Sequence, residues 1–156
     1  MSRLSGSGIG VDVPSGWEGR IYAKPSDPGL HPTGAQSMNP NAVLHVASFP
    51  LPRGAGDYGG GAVEQMANTD LLVILMEHGA AAVGTALFAP AGMPRLTKDD
   101  VSPNCLQRLI EGQGGAQKFF TENGRAFCLY VVFGSHLRRA RTLPVVNDLL
   151  RTVTIT

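Results

Sequence analysis

The chain has 156 residues, 43% of them apolar and 16% charged, with a formal charge of +1. That length suits one domain with a sizeable core, and the balance excludes a disordered chain. The near-zero charge gives no general pull toward nucleic acid or anionic membrane, and no apolar run approaches the roughly 20 residues of a membrane-spanning helix.

Ile9, Val11 and Val13 alternate with Gly10 and Asp12, which predicts a half-buried strand. Pro14-Ser15-Gly16 turns the chain, Trp17 follows, and Arg20–Ala23 reads as a second strand. Residues 25–41 contain Pro25, Pro28, Pro32 and Pro40 without an apolar period, so they read as a long loop. Ala42–Phe49 is a strand closed by Pro50 and Pro52. A glycine-rich loop over 53–61 carries Asp57 and Tyr58 and leads into a short helix over Ala62–Ala67.

Residues 63–78 fit one continuous helix or a turn followed by a strand. The turn signal Asn68-Thr69-Asp70 and the unbroken apolar run from Leu71 favour a strand at 71–77. Gly84–Ala89 reads as another strand. Pro90–Pro103 reads as a connection, with Ser102-Pro103 capping a helical turn through Leu109.

Two apolar runs then flank Asn123-Gly124. This pair supplies positive φ at both centres of a two-residue turn and is the strongest hairpin signal in the chain. The register it sets places Phe120 opposite Phe127, Phe119 opposite Cys128, and Glu122 opposite Arg125 as an ion pair at the tip. Phe120, Phe127, Leu129, Val131 and Phe133 form one apolar face. Ala126, Cys128, Tyr130 and Val132 make the other face apolar too, so the strand should be covered on both sides. A closing helix follows, with Thr142 as N-cap, Pro144 in its first turn, and Val146, Leu149, Leu150 and Val153 as the buried stripe. The expected fold class is α+β: a mainly antiparallel sheet flanked by helices, one domain over 1–156.

The opening Gly10-Val11-Asp12-Val13-Pro14-Ser15-Gly16-Trp17, the antiparallel middle and the closure Val146–Ile155 resemble the PsbP-like α/β/α sandwich group. That group includes the Ran-binding nuclear-import factor, the photosystem II PsbP protein, actinobacterial lipoproteins and Eag-type secretion chaperones. The resemblance covers most of the chain, although the 25–41 loop is longer than in a minimal member. It implies an α/β/α sandwich and a non-enzymatic binding or assembly role, with no shared catalytic residues to carry over.

The chemistry-bearing residues do not assemble into a catalytic motif. His31, His45, His78 and His136 have no ligand-pair spacing. Gly59-Gly60-Gly61 precedes a helix but lacks the Lys-Ser/Thr of a phosphate loop. Cys105 and Cys128 have no metal spacing and read as buried, reduced thiols, and Asp99-Asp100 reads as a solvated pair. No catalytic, metal or cofactor-binding residue is expected, and no cofactor.

The one concentrated charge is His136-Leu137-Arg138-Arg139-Ala140-Arg141. It reads either as a solvated connection into the closing helix or as a docking patch, and as a patch, without interleaved aromatic residues, it fits an acidic protein surface better than nucleic acid. Arg138, Arg139 and Arg141, together with Trp17 and Tyr58 as aromatic anchors, are the candidate partner-binding residues. The expected role is a non-catalytic adaptor, chaperone or accessory subunit of a larger assembly, with secretion or contractile-injection machinery as a setting. It would bind a protein partner and no nucleic acid, with no membrane span and self-association left open. The alternative is a carrier with an apolar pocket lined by residues such as Phe49, Leu87 and Phe120. The start has no apolar leader core, which predicts a cytosolic protein; a trimmed export or lipoprotein form would read the same way.

Overall fold

A computed structural model describes residues 1–24 and 41–156. The long 25–41 loop read from the sequence lies outside the described residues, apart from Asn41. Five strands form the main sheet: β3 (Glu18–Lys24), β4 (Asn41–Ala47), β5 (Leu71–His78), β6 (Gly114–Glu122) and β7 (Arg125–Phe133). Their order is β3-β4-β5-β7-β6, and every pairing is antiparallel. A second antiparallel sheet, in the order β1-β2-β8, contains β1 (Ser2–Gly6), β2 (Ile9–Val13) and β8 (Thr154–Ile155). Among the described residues one α-helix, α1 (Arg139–Arg151), precedes β8. The α+β class and the antiparallel sheet are therefore as expected.

One face of the main sheet presents Leu44, Val73, Leu75, Phe127 and Leu129 to α1 and to β2, and Leu143, Val146, Leu149 and Leu150 of the helix close over it. Phe120 and Phe127 stack there, with ring centroids 5.6 Å apart. On the opposite face Leu72, Ile74, Tyr130 and Val132 lie under Phe49, Leu51, Val63, Leu106 and Ile110. The sheet is buried on both faces, but among the described residues the second face carries loops and 3-10 turns rather than a helix. Ala62–Ala67, expected as a short helix, is reduced to a 3-10 turn at Val63–Gln65.

The hairpin register is as read. Phe120 pairs with Phe127, Phe119 with Cys128 and Glu122 with Arg125, and Asn123 and Gly124 have φ of 52° and 73°. The ion pair at the tip is not formed. Arg125 reaches across to Glu77 on β5, at 2.8 Å from Nε and from Nη2, because this gives a bidentate fork geometry. Glu122 keeps a buried oxygen without a partner among the described residues.

Further readings are corrected. Gly84–Ala89 is not a strand but a turn followed by a 3-10 turn at Ala86–Phe88. Both edges of β5 are already taken by β4 and β7, and Leu87 points outward. The helix begins at Arg139, so Thr142 sits inside its first turn and its hydroxyl bonds back to the Arg138 carbonyl instead of capping. Pro144 is inside the helix rather than in its first turn, on an exposed position where water can serve the carbonyl that its missing N–H leaves free. Cys105 is exposed, not buried; Cys128 is buried, and both are free thiols. Ser102 does cap, accepting from Asn104 N–H, but the turn ends at Cys105.

Candidate functional site

The basic segment leaves β7 through Gly134 and enters α1. His136 N–H donates to the Gly112 carbonyl at 2.7 Å, which ties the 109–112 turn to the helix entrance. Two apolar side chains project from these adjoining segments: Leu109, 73% exposed, and Leu137, 90% exposed. Beside them stand Arg138 at the N-cap and Arg139 and Arg141 in the first turn, with no acidic residue in that turn and no side-chain cap.

Arg139 is used internally, donating to the carbonyls of Lys98 (3.3 Å) and His136 (3.0 Å). Arg138 and Arg141 make no side-chain hydrogen bond and no ion pair among the described residues. The amides at a helix start carry partial positive charge, so cations there are disfavoured. This corner therefore combines exposed leucines with cations in an electrostatically unfavourable place.

The other two sequence candidates lie elsewhere. Trp17, in the β2–β3 turn, is half-buried and packs against the core on the α1 side of the main sheet. Tyr58 lies over the opposite face of the sheet, edge-on to Tyr130 with centroids 5.4 Å apart. The structure does not join either of them to the arginines in one patch. The carrier residues also fall apart: Phe49 and Phe120 are buried on opposite faces, and Leu87 is 57% exposed. Among the described residues they line no common cavity.

A polar network that the sequence did not reveal joins the 53–61 loop to strand β3. The Tyr22 hydroxyl donates to Asp57 Oδ1 at 2.6 Å, and Lys24 pairs with the other carboxylate oxygen. His45, fully buried on β4, bonds through Nε2 to the Asp57 carbonyl at 3.1 Å. A carbonyl only accepts, so Nε2 carries the proton and Nδ1 is bare, with no partner among the described residues. Burial, and then the hydrogen bond to Asp57, push the Tyr22 phenol far up, so it stays a donor. Burial raises the Asp57 carboxyl, but the bonds from Lys24 and Tyr22 outweigh this and leave it below its usual value. The network acts as a clamp that fixes the 53–61 loop. The only sequence hint was a histidine in the middle of an apolar strand.

Burial holds His45 below the usual imidazole value, against an opposing pull from the Asp57 carbonyl. The unfolded chain therefore binds this proton at a higher pH than the folded one does. Stability is full above the unfolded value of about 6.5 and falls as pH drops from there toward the folded value. His45→Gln should flatten the dependence of unfolding free energy on pH just below 6.5. Urea titrations at closely spaced pH values check this, and an unchanged slope would assign the dependence to another group.

A cleft of about 470 Å³ opens where Ser7, Asn41, Glu77, His78, Gly124 and Arg125 meet. Arg125 is spent within the protein: besides Glu77 it donates to the Thr156 carbonyl at 3.1 Å and the Ser7 carbonyl at 3.0 Å. It ties the hairpin tip to the β1–β2 turn, and four of its five N–H donors are used in these bonds. Among the described residues no cluster of His, Cys, Asp or Glu suits a metal ion. None of the described helices is long and apolar enough to cross a membrane.

Fold and site together define a small α+β domain whose polar networks hold its loops in place and whose exposed, uncompensated chemistry sits at the entrance to α1. No protein-family model, no curated protein and no solved structure matches the chain.

Proposed function

We propose that this domain is a non-catalytic protein-interaction module, an adaptor, chaperone or accessory subunit, that docks an acidic partner segment at the start of α1. One observation carries the reading. Arg138 and Arg141 occupy a helix start that disfavours cations, have no partner among the described residues, and follow a leucine that is 90% exposed. A partner with carboxylates and one or two apolar side chains would neutralise the arginines and cover Leu137 and Leu109. The PsbP-like resemblance points the same way, toward binding and assembly, with secretion or contractile-injection machinery as the setting. An antiparallel sheet covered on both faces accords with it.

Arg138→Glu/Arg141→Glu tests the proposal and spares Arg139, whose hydrogen bonds are structural. Acidic residues at a helix start are favourable, so the double variant should gain about 0.3–1 kcal/mol per site at low ionic strength. The same variant should lose partner capture from native lysate, while the unmodified protein cross-links its partner within 137–141. A variant that is stabilised yet captures the same partner equally well removes the helix entrance from the binding surface. Chemical denaturation and cross-linking with mass spectrometry read the two effects separately.

A further inference from the structure

Strand β3 forms one edge of the five-stranded sheet. The hydrogen-bond alternation shows which of its groups face outward. Ala42 N–H points toward β5, where it meets Glu77, and Ser48 N–H bonds the Leu71 carbonyl of the same strand. The even-numbered residues of β4 thus face β5, and Asn41, Val43, His45 and Ala47 face β3. Their partners are Lys24, Tyr22, Arg20 and Glu18. The main-chain N–H and C=O groups of Gly19, Ile21 and Ala23 therefore face away from the sheet, and among the described residues they have no backbone partner. The other edge, β6, is already bridged near both ends: Ser102 pairs with Gly115, and Ala91 pairs with Thr121.

We propose that the β3 edge pairs with the β3 edge of a second copy of this chain, antiparallel and centred on Ile21, to give a continuous ten-stranded sheet. Ile21 is the middle residue of Glu18–Lys24, so a two-fold axis through it uses the whole strand. In this register Ile21 faces its own copy and Gly19 faces Ala23, and these pairs exchange their outward main-chain hydrogen bonds. The closer, non-hydrogen-bonded pairs are Glu18 with Lys24 and Arg20 with Tyr22. The first sets opposite charges face to face, with Lys24 shared with Asp57 and Glu18 using the carboxylate oxygen that Leu51 N–H leaves free, and the second sets a guanidinium beside an aromatic ring.

The strand is therefore self-complementary in charge. Charges placed on an edge to prevent pairing would meet their like across the axis; these meet their opposites. Ile21 is only partly buried, packing on the core near Gly6, and its remaining apolar surface is covered by its symmetry mate. The inference rests on β3 alone and stands whether or not the helix entrance binds a partner.

Sedimentation equilibrium over a wide range of loading concentrations should show a reversible monomer–dimer system. Ala23→Pro removes an N–H that the monomer leaves unpaired, so the variant should fold normally. It should weaken the dimer about tenfold or more, because two symmetry-related hydrogen bonds are lost. A strictly monomeric protein at every concentration overturns the proposal, and so does a dimer that Ala23→Pro leaves intact.

Register is read by a cysteine pair in a Cys105→Ser background. Ile21→Cys lies on the axis, within the Cα separation a disulfide accepts, and should cross-link under mild oxidation. Arg20→Cys is offset from its own copy by two residues and should not. Equal cross-linking at both positions overturns the register. This pair gives the answer even if Ala23→Pro fails to fold.

Discussion

Replacing Arg125 by methionine should destabilise the protein by about 1–3 kcal/mol, the cost of leaving a largely desolvated polar group without its partner. Arg125 and Glu77 have side chains only 19% and 15% exposed, and their contact is bidentate. The guanidinium also satisfies the carbonyls of Ser7 and Thr156 and lies over the Phe127 ring, 5.3 Å from its centroid. Methionine fills much of the volume but leaves the Glu77 carboxylate with only the Ala42 N–H among its present partners. Glu77→Gln/Arg125→Met should recover part of the loss, because the uncompensated charge is then removed as well.

The same pair sets part of the acid limb. Burial raises the Glu77 carboxyl, but the bonds from Arg125 and the Ala42 N–H outweigh it and hold the group below its usual value. This stabilisation is present above the unfolded carboxyl pKa of about 4.3 and is lost as pH falls through the lower folded value. Urea unfolding of wild type and variants at neutral and acidic pH measures both effects. A loss under about 1 kcal/mol at neutral pH would show that water serves Glu77 as well as Arg125 does.

Gly134→Ala should cost at least the upper part of the about 1–3 kcal/mol range for overpacking. A methyl group there would stand 1.9 Å from the Ala67 carbonyl oxygen and 3.1 Å from that of Asp70. The 67–70 turn has little freedom to retreat. Asp70 accepts from Ala67 N–H at 2.8 Å and from Ser48 Oγ at 3.0 Å, and its carbonyl receives Gly134 N–H at 2.9 Å. Ser48 Oγ in turn accepts from Leu71 N–H at 2.9 Å. Gly134 also fixes where the chain departs for Leu137–Arg141, so the variant should weaken partner capture as well as stability. Denaturation and the capture assay together check this. A change within about 0.5 kcal/mol, as for an ordinary surface site, would mean that the 67–70 turn yields.

Much of the fold was legible because it is written in neighbouring residues. Asn123-Gly124 allows positive φ twice, and that alone aligned Phe120 with Phe127. The turn signal at Asn68–Asp70 correctly separated a strand from a helix at Leu71. Strand β1 was missed because Leu4 is its sole apolar residue. The Ser7-Gly8 turn, with φ of 51° and 75°, was its one readable sign. Gly84–Ala89 misled because a short apolar run resembles a strand even when both edges of the preceding strand, β5, are already taken.

The basic segment was visible as composition, and its cost was not, since that depends on the helix starting at Arg139 rather than after Thr142. By itself the sequence determined the strand alternation, the hairpin register and most of the apolar stripe of α1, although Val153 falls beyond the helix and Leu143 joins it, because turn sterics and side-chain period act over a few residues. Only the tertiary structure decided that Arg125 joins Glu77, 48 positions away, instead of the Glu122 facing it. It likewise decided that Asp57 gathers Tyr22, Lys24 and His45, and that Gly19, Ile21 and Ala23 turn their main-chain groups outward. Partner choice among distant groups follows from which segments the packed sheet brings within hydrogen-bond reach, and no local pattern encodes that distance.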